Sequence, residues 1–364
     1  MRPEKYLKYL IEPIFNTRRT KEIFNYNPAT EPVREEATHT KIFVYNYDPA
    51  SISAKELKDM SEVFIYRDSD KVSWINMDGI VKANVEAVCQ HFEVHPLLIE
   101  DILSIGQRPK MDDIEGVMFC QLNMLYFNNE HCSVEQEQIS IALGKNFVLT
   151  FQEDEHRDVF NNIREKLKVP SSRLRQRGAD YLCYSLVDMI VDHYFEVIEK
   201  LGEKIEALEE EIIRINNKRS LAKLNALRKE MIVLKKNVGP VRELVNGFIK
   251  SESDLLDDKV NKYYKDAYDH IVQANEVAEN YREILASLQD LYINQVNLRM
   301  NEVMKVMAIV TCLLAPATVI GGIFGMNFDV IPYAHQAWGF YITVAVMLVV
   351  PLIMLRVFKK RGWF

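Results

Sequence analysis

"VMKVMAIVTCLLAPATVIGGIFGM", Val303 to Met326, is the stretch on which the reading of this chain turns. Its single charge, Lys305, stands near the start. A helix that spans a bilayer needs roughly 20 predominantly apolar residues, and this run supplies them. A second run, "WGFYITVAVMLVVPLIMLRVF" from Trp338 to Phe358, carries only Arg356 near its end. The alternative, two buried core helices, is disfavoured by the length of both runs. Pro316 and Pro351 are tolerable inside spans whose packed neighbours satisfy the freed carbonyls. The basic tail "KKRGWF" follows the second run directly, so the positive-inside rule places the C-terminus in the cytoplasm. Two spans then put the N-terminal part there as well and leave residues 327–337 as a short external loop. The expected location is the inner (plasma) membrane, crossed twice, with both termini cytoplasmic.

Over all 364 residues Asp, Glu, Lys and Arg make up 27%, and the net charge is −7. No apolar block with a cleavage site follows Met1, so no secretory signal is expected. Cys89, Cys120, Cys132, Cys183 and Cys312 show no CxxC or zinc spacing, which fits reduced thiols better than a disulfide framework. Residues 1–40 lack periodicity and read as a polar arm. From 41 to 177 strand-like runs alternate with short helical ones. "KVSWINMDG", "VMFCQLNMLYF", "EQISIALG" and "NFVLTF" are the strand candidates, with "LGKNF" as a hairpin turn. "VEAVCQHFEVHPLLIEDIL" is helical in rhythm, interrupted at His95-Pro96. An α/β domain is the expectation.

From 178 to 302 the pattern becomes long amphipathic helices, with a bend expected at Gly239-Pro240 in the second. A third begins near Asp254 and meets no Pro or Gly until Pro316. At about 1.5 Å per residue it would run on the order of 100 Å, from the cytoplasm through the membrane. Such a helix must bury its apolar stripe in a stalk or oligomeric bundle. The acidic run "EALEEEIIR" reads as a solvated helix face.

Steps of alternating three and four along the third helix give Asp290, Asn294, Asn297, Asn301, Met304, Ala308, Thr311, Ala315, Thr318, Gly322 and Gly325 on one stripe. A soluble coiled coil would place Leu, Ile and Val there. An acid, amides, hydroxyls and small residues suit a helix with lipid outside and a hydrated path inside. Close helix packing also explains the GxxxG at Gly321 and Gly325. It does not require the continuation into Asn301, Asn297 and Asp290, which favours a pore. Met304 and Met307 are candidates for an apolar constriction, although methionine more often fills gaps.

"GMN" at Gly325, Met326 and Asn327 ends the stripe, and "FDVIPY" turns the chain back. This resembles the CorA family of magnesium channels, whose hallmark is Gly-Met-Asn at the end of the first of two C-terminal spans. The likeness extends to "NEVMKVMAIV", to "YYKDAYDH" on the long helix, to "HPLLIEDIL" with "QRPK", and to the basic tail, from about residue 90 onward. The resemblance implies a homopentameric funnel whose first spans line the pore, with Gly325, Met326 and Asn327 as selectivity filter. It implies Mg²⁺ as both transported and regulatory ion, with Co²⁺ also transported. Neither an organic cofactor nor a nucleic-acid partner is expected. Mg²⁺ dehydrates reluctantly, so a ring of Asn327 carbonyls suits a hydrated ion, and Asp329 would concentrate cations outside. Asp290 would form an acidic ring in the funnel. The chain departs from the family at "NFDVIPYAHQ", where an acid is lost and His335 appears. A lone histidine is usually just solvated, but imidazole suits zinc and other transition metals. Ala315 stands where many relatives carry methionine, which implies a wider mid-pore.

By the same resemblance, Asp101 and Asp266, with Glu100 and Asp188 nearby, form a regulatory site. There a divalent ion between neighbouring subunits holds the channel closed. Read without it, these are ordinary solvated carboxylates. With no phosphate loop, nucleophile motif or HExxH, an enzyme is not expected. The competing classes are a zinc or nickel transporter of the same family and a membrane-anchored helical scaffold that does not conduct.

Overall fold

A computed structural model describes residues 37–154, 157–214, 218–326, 331–332 and 336–363. Its strands are β1 (Lys41–Tyr47), β2 (Ile52–Leu57), β3 (Val72–Asp78), β4 (Lys110–Ile114), β5 (Val117–Asn128), β6 (Ser133–Leu143) and β7 (Phe147–Gln152). Its helices are α1 (Lys82–His91), α2 (Pro96–Leu103), α3 (Asn161–Lys168), α4 (Ala179–Arg214), α5 (Lys218–Lys250), α6 (Asp258–Phe324) and α7 (Ala337–Lys360).

The seven strands form one sheet in the order β2-β1-β3-β7-β6-β5-β4. Only the β3–β7 pair is parallel, with Ser73 opposite Phe147 and Asp78 opposite Gln152. A parallel pair needs a crossover, and the segment from α1 to β6 supplies it. The β6–β7 link is the expected hairpin, with Gly144 N donating to Phe147 O at 2.9 Å. The helical run splits where expected. His95 caps α2 by accepting from Leu97 N, and Pro96 takes the first-turn position, where its missing N–H costs nothing.

β5 and β6 are buried along nearly their whole length because both sheet faces are covered. On one face Phe119, Ala142, Leu149 and Phe151 join Val85, Val88, Leu98 and Ile102 of α1 and α2 in a single core. Polar bonds fix the register of the long helices against the sheet. Tyr194 Oη of α4 donates to Asn123 O at 2.7 Å. Asn123 Nδ2 donates to Asn237 Oδ1 of α5 at 2.7 Å, and Asn237 Nδ2 in turn to Gln136 Oε1 at 2.9 Å. A buried ladder joins the parallel strands: Trp74 Nε1 donates to Thr150 Oγ1, which donates to Asn76 Oδ1 at 2.6 Å. Burial pushes the Asp78 carboxyl at its end above the usual range, against the hydrogen bond from Gln152.

Two strands depart from expectation. β2 and β4 are the sheet edges, and their sequences ("ISAKEL", "KMDDI") are too polar to read as strands. The third long helix starts at Asp258 rather than near Asp254, and Pro240 lies within α5 without ending it. Two compact units result: residues 1–211 with 217–288, and residues 212–216 with 289–364.

Candidate functional site

In the second unit, α6 and α7 contain helices long and apolar enough to cross a membrane, with mean hydropathies of 2.2 and 2.3. Only 6% of the first apolar window and 0% of the second are buried within the chain. Asp290, Asn297, Asn301, Met304, Met307, Thr311, Ala315, Thr318 and Gly322 are all exposed, as are Gly325 and Met326 beyond the helix end. The stripe therefore finds no cover among the described residues.

Local chemistry along it is directional. Thr311 Oγ1 donates to Met307 O at 2.9 Å and Thr318 Oγ1 to Leu314 O at 3.0 Å. Each hydroxyl spends its proton on the helix and offers lone pairs outward. A hydrated cation presents only water hydrogens, so acceptors are what such a path requires. A Cβ built on Gly321 or Gly322 meets nothing within 4 Å, so their smallness is not demanded by the chain itself. Gly325 closes the helix, its N–H donating to Gly321 O at 3.0 Å. Asn327, Asp329 and His335 lie outside the described residues.

The first unit holds the acids singled out for regulation, at two places. Asp101, on α2, is paired with Lys110, whose Nζ lies 2.6 Å from Asp101 Oδ2 and 3.3 Å from Asp112 Oδ2. Burial opposes the ammonium charge, but the hydrogen bond and charge of Asp101, then those of Asp112, hold Lys110 above the usual lysine range. Glu100 beside it is exposed.

Asp188 belongs to a cluster. With Asp192, one turn on along α4, and His270 of α6, it offers ligand atoms all within 4.8 Å of one another. Asp188 Oδ1 and His270 Nδ1 are shielded from solvent without a hydrogen-bond partner. His270 Nδ1 stands 3.9 Å from Asp192 Oδ1, too far for a hydrogen bond. Burial first, then repulsion from Asp192, raises the Asp188 pKa above the usual carboxylate value. The Tyr184 hydrogen bond and His270 oppose that shift, and Asp266 adds to it. Asp266, exposed one turn before His270, is thus electrostatically part of the group. Two unpartnered ligand atoms and a surplus of negative charge fit a divalent cation, and an imidazole with carboxylates suits Co²⁺, Ni²⁺ or Zn²⁺ better than Mg²⁺. The cluster opens on a cleft of about 570 Å³ lined also by Tyr181, His193 and Glu196.

Asp192 and His270 went unrecognised in the sequence. The signal was present: Asp188 and Asp192, and Asp266 and His270, each stand four apart on a helix, which places them on one face. What the sequence could not supply was the pairing of the two helices.

An α/β domain, long helices and two candidate spans define a class of membrane-inserted proteins with a large domain outside the bilayer. The family model described as "CorA-like Mg2+ transporter protein" matches residues 69–360. The "Cobalt/magnesium transport protein CorA" of Thermotoga maritima is 38% identical over 298 residues, covering 82% of this chain and 85% of that protein. The "Putative metal ion transporter YfjQ" of Bacillus subtilis is 29% identical over 291 residues, 80% of this chain and 89% of that one. The complete structure of the CorA magnesium transporter from Methanocaldococcus jannaschii superposes with a TM-score of 0.73 at 21% identity, over 89% of this chain and 98% of that one. The chain belongs to the family of CorA-like Mg²⁺ transporter proteins.

Proposed function

We propose that this protein is a divalent-cation channel carrying Mg²⁺, and Co²⁺ with it, into the cytoplasm. Flow is passive and driven by the membrane potential, and no enzymatic step is involved. The observation that carries the reading is the exposed stripe of acceptors and small residues on α6, which no other described residues cover. A homopentamer that brings these stripes together would line a path from Asp290 past Asn297, Asn301, Met304 and Met307 to Thr311, Ala315, Thr318 and Gly322. Gly325, Met326 and Asn327 would form the filter, and Asp329 the outer mouth. The Thermotoga maritima relative, named for cobalt and magnesium transport, supports the choice of ions.

Regulation rests on Asp101, Asp266, Glu100 and Asp188, bridged by internal Mg²⁺ between subunits. When that Mg²⁺ falls, the uncompensated acids repel and the closed state loses its stabilising ligand. The pairing of Asp101 with Lys110 adds a requirement: an ion that binds Asp101 competes with an ammonium already in place.

The test is Mg²⁺ entry into proteoliposomes under an inside-negative potential, for wild type and Asn327→Ala. Rapid entry that the substitution abolishes is expected. Entry of Zn²⁺ or Ni²⁺ alone would assign the chain to the second reading, which the imidazole at His270 favours. No entry of any cation by folded, oligomeric protein would leave a helical scaffold.

A further inference from the structure

The second unit holds a recess of about 450 Å³, where Ile213 and Arg214 at the end of α4 meet the part of α6 that leads into its apolar run. Leu298, Arg299, Glu302 and Lys305 line it from α6, and steps of three and four put them on one helix face. Arg214 already has a partner. Among the described residues no carboxylate pairs with Arg299 or Lys305, not even Glu302 between them. Lys305 is half-buried, and its Nζ reaches Gly362 O at 3.5 Å. That contact sets the end of α7 at the depth where the first span begins. There α7 closes on Gly362, in left-handed backbone at φ 71°, and Trp363 N donates to Phe358 O at 3.0 Å. The turn stacks Trp363 on Phe358, ring centroids 5.2 Å apart, with Lys359, Lys360 and Arg361 exposed around it. A tryptophan at the end of a span marks the level of the lipid headgroups. Beyond the recess, Val306 and Val310 stand four and eight residues past Glu302 and continue its face as exposed apolar surface.

We propose that this recess seats the phosphate of an anionic glycerophospholipid, whose acyl chains lie along Val306 and Val310. The Arg299 guanidinium can hold a phosphate through paired N–H donors. Lys305 lays its stem along apolar surface and keeps its ammonium at the interface. Glu302 is an acceptor for a headgroup hydroxyl, which a glycerol headgroup has and a choline headgroup lacks. Cations at the end of a span orient a protein and attract anionic lipid diffusely in any case. A recess with two cations free of acids on one helix face, opening onto exposed apolar surface at headgroup level, goes further and defines a seat for one lipid. The inference rests on α6 and α7 as spans and not on conduction.

Trp363 reports from beside the site. The full-length protein with Trp338→Phe, at the other end of α7, is reconstituted in phosphatidylcholine vesicles. A rising fraction of either phosphatidylglycerol or phosphatidylcholine carries bromine on its acyl chains, which quenches tryptophan on contact. Trp74, buried in the sheet, gives a constant background. Brominated phosphatidylglycerol is expected to reach half-maximal quenching at a fraction about threefold lower than brominated phosphatidylcholine. Arg299→Gln with Lys305→Gln should abolish that preference, while Lys145→Gln, an exposed lysine of the first unit, should keep it. Should the double variant fail to assemble, Arg299→Gln alone, at an exposed position, should still reduce the preference. Equal quenching by the two lipids, or an unchanged preference in the Arg299 variants, overturns the proposal. So does a preference lost only when Lys359, Lys360 and Arg361 are replaced by Gln, which would be diffuse attraction to the tail. Glycerol 3-phosphate that abolishes the preference would assign the recess to free phosphate esters and overturn the lipid. Quenching by neither lipid would overturn the inference together with its premise that α6 and α7 insert.

Discussion

Asp188, Asp192 and His270 test what a single residue contributes to ion choice. If the imidazole is a ligand, His270→Ala should weaken Co²⁺ binding by the soluble face of the protein at least tenfold. Mg²⁺, which prefers oxygen, should change little. Asp188→Asn should weaken both. Because ligands must be deprotonated, affinity should fall with pH, and the raised pKa of Asp188 makes that decline begin at a higher pH than an ordinary carboxylate would. Equal Co²⁺ affinities in wild type and His270→Ala, by calorimetry, would remove histidine from the site. Glu137 offers a separate test in the sheet. Its Oε1 accepts from Glu153 N and Asp154 N, both at 2.9 Å, yet burial outweighs these bonds and raises its pKa to about 7. The folded chain thus holds this proton more tightly than the unfolded one. Its stabilising effect is full below the unfolded glutamate range and is lost as pH rises through about 7, on the order of 3 kcal/mol in all. Glu137→Gln keeps the acceptor and cannot ionise. Its melting temperature should stay nearly flat from pH 5 to 8 where that of the wild type declines, and parallel slopes would count against the assignment.

Among the elements, the first span carries the heaviest functional claim. A Cβ on Gly322 meets nothing within its own chain, so Gly322→Leu should fold and assemble. In a pore formed by neighbouring copies its side chain would enter the path, and Mg²⁺ flux should drop at least tenfold. Val319→Leu, at an exposed position off the stripe, is the control expected to transport normally. Wild-type flux in Gly322→Leu would mean that the stripe is a packing seam or faces lipid. How far such elements are legible depends on burial. β3, β5, β6 and β7 show in the sequence because both faces are covered, which demands long runs of apolar and β-branched residues. The edge strands β2 and β4 need no such pattern. Exposed positions through "SAKE" and the acids of "KMDDI" also discourage pairing with other chains. The stripe itself was legible because a polar run inside an apolar segment contradicts the membrane's own rule. The cation cluster was half legible, since helix spacing shows which residues share a face but not which helices meet.

At the scale of the whole molecule, the exposed spans require partners, and the identity of those partners separates pore from lipid. One face of α6 carries Thr318 and the adjacent residue Val319 points elsewhere; both are exposed in the single chain. Assembly into a pentameric pore predicts different surroundings for the two: water and sister subunits for Thr318, hydrocarbon for Val319. Cysteine at each position reads this directly, because the thiolate is the reactive form and it is disfavoured in hydrocarbon. With the native Cys312 replaced by Ser, Thr318→Cys should react with a charged, water-soluble thiol reagent applied from outside, and Mg²⁺ entry should be blocked as it does. Oxidation should join neighbouring copies through this position, so that the 42.4 kDa chain also runs as a cross-linked dimer on a denaturing gel. Val319→Cys should do neither while transporting normally. Reaction at both positions alike would place water on both sides of the helix, and protection of Thr318→Cys with unblocked flux would put the path elsewhere. Only the asymmetric outcome joins the stripe, the assembly and the transport into one structure.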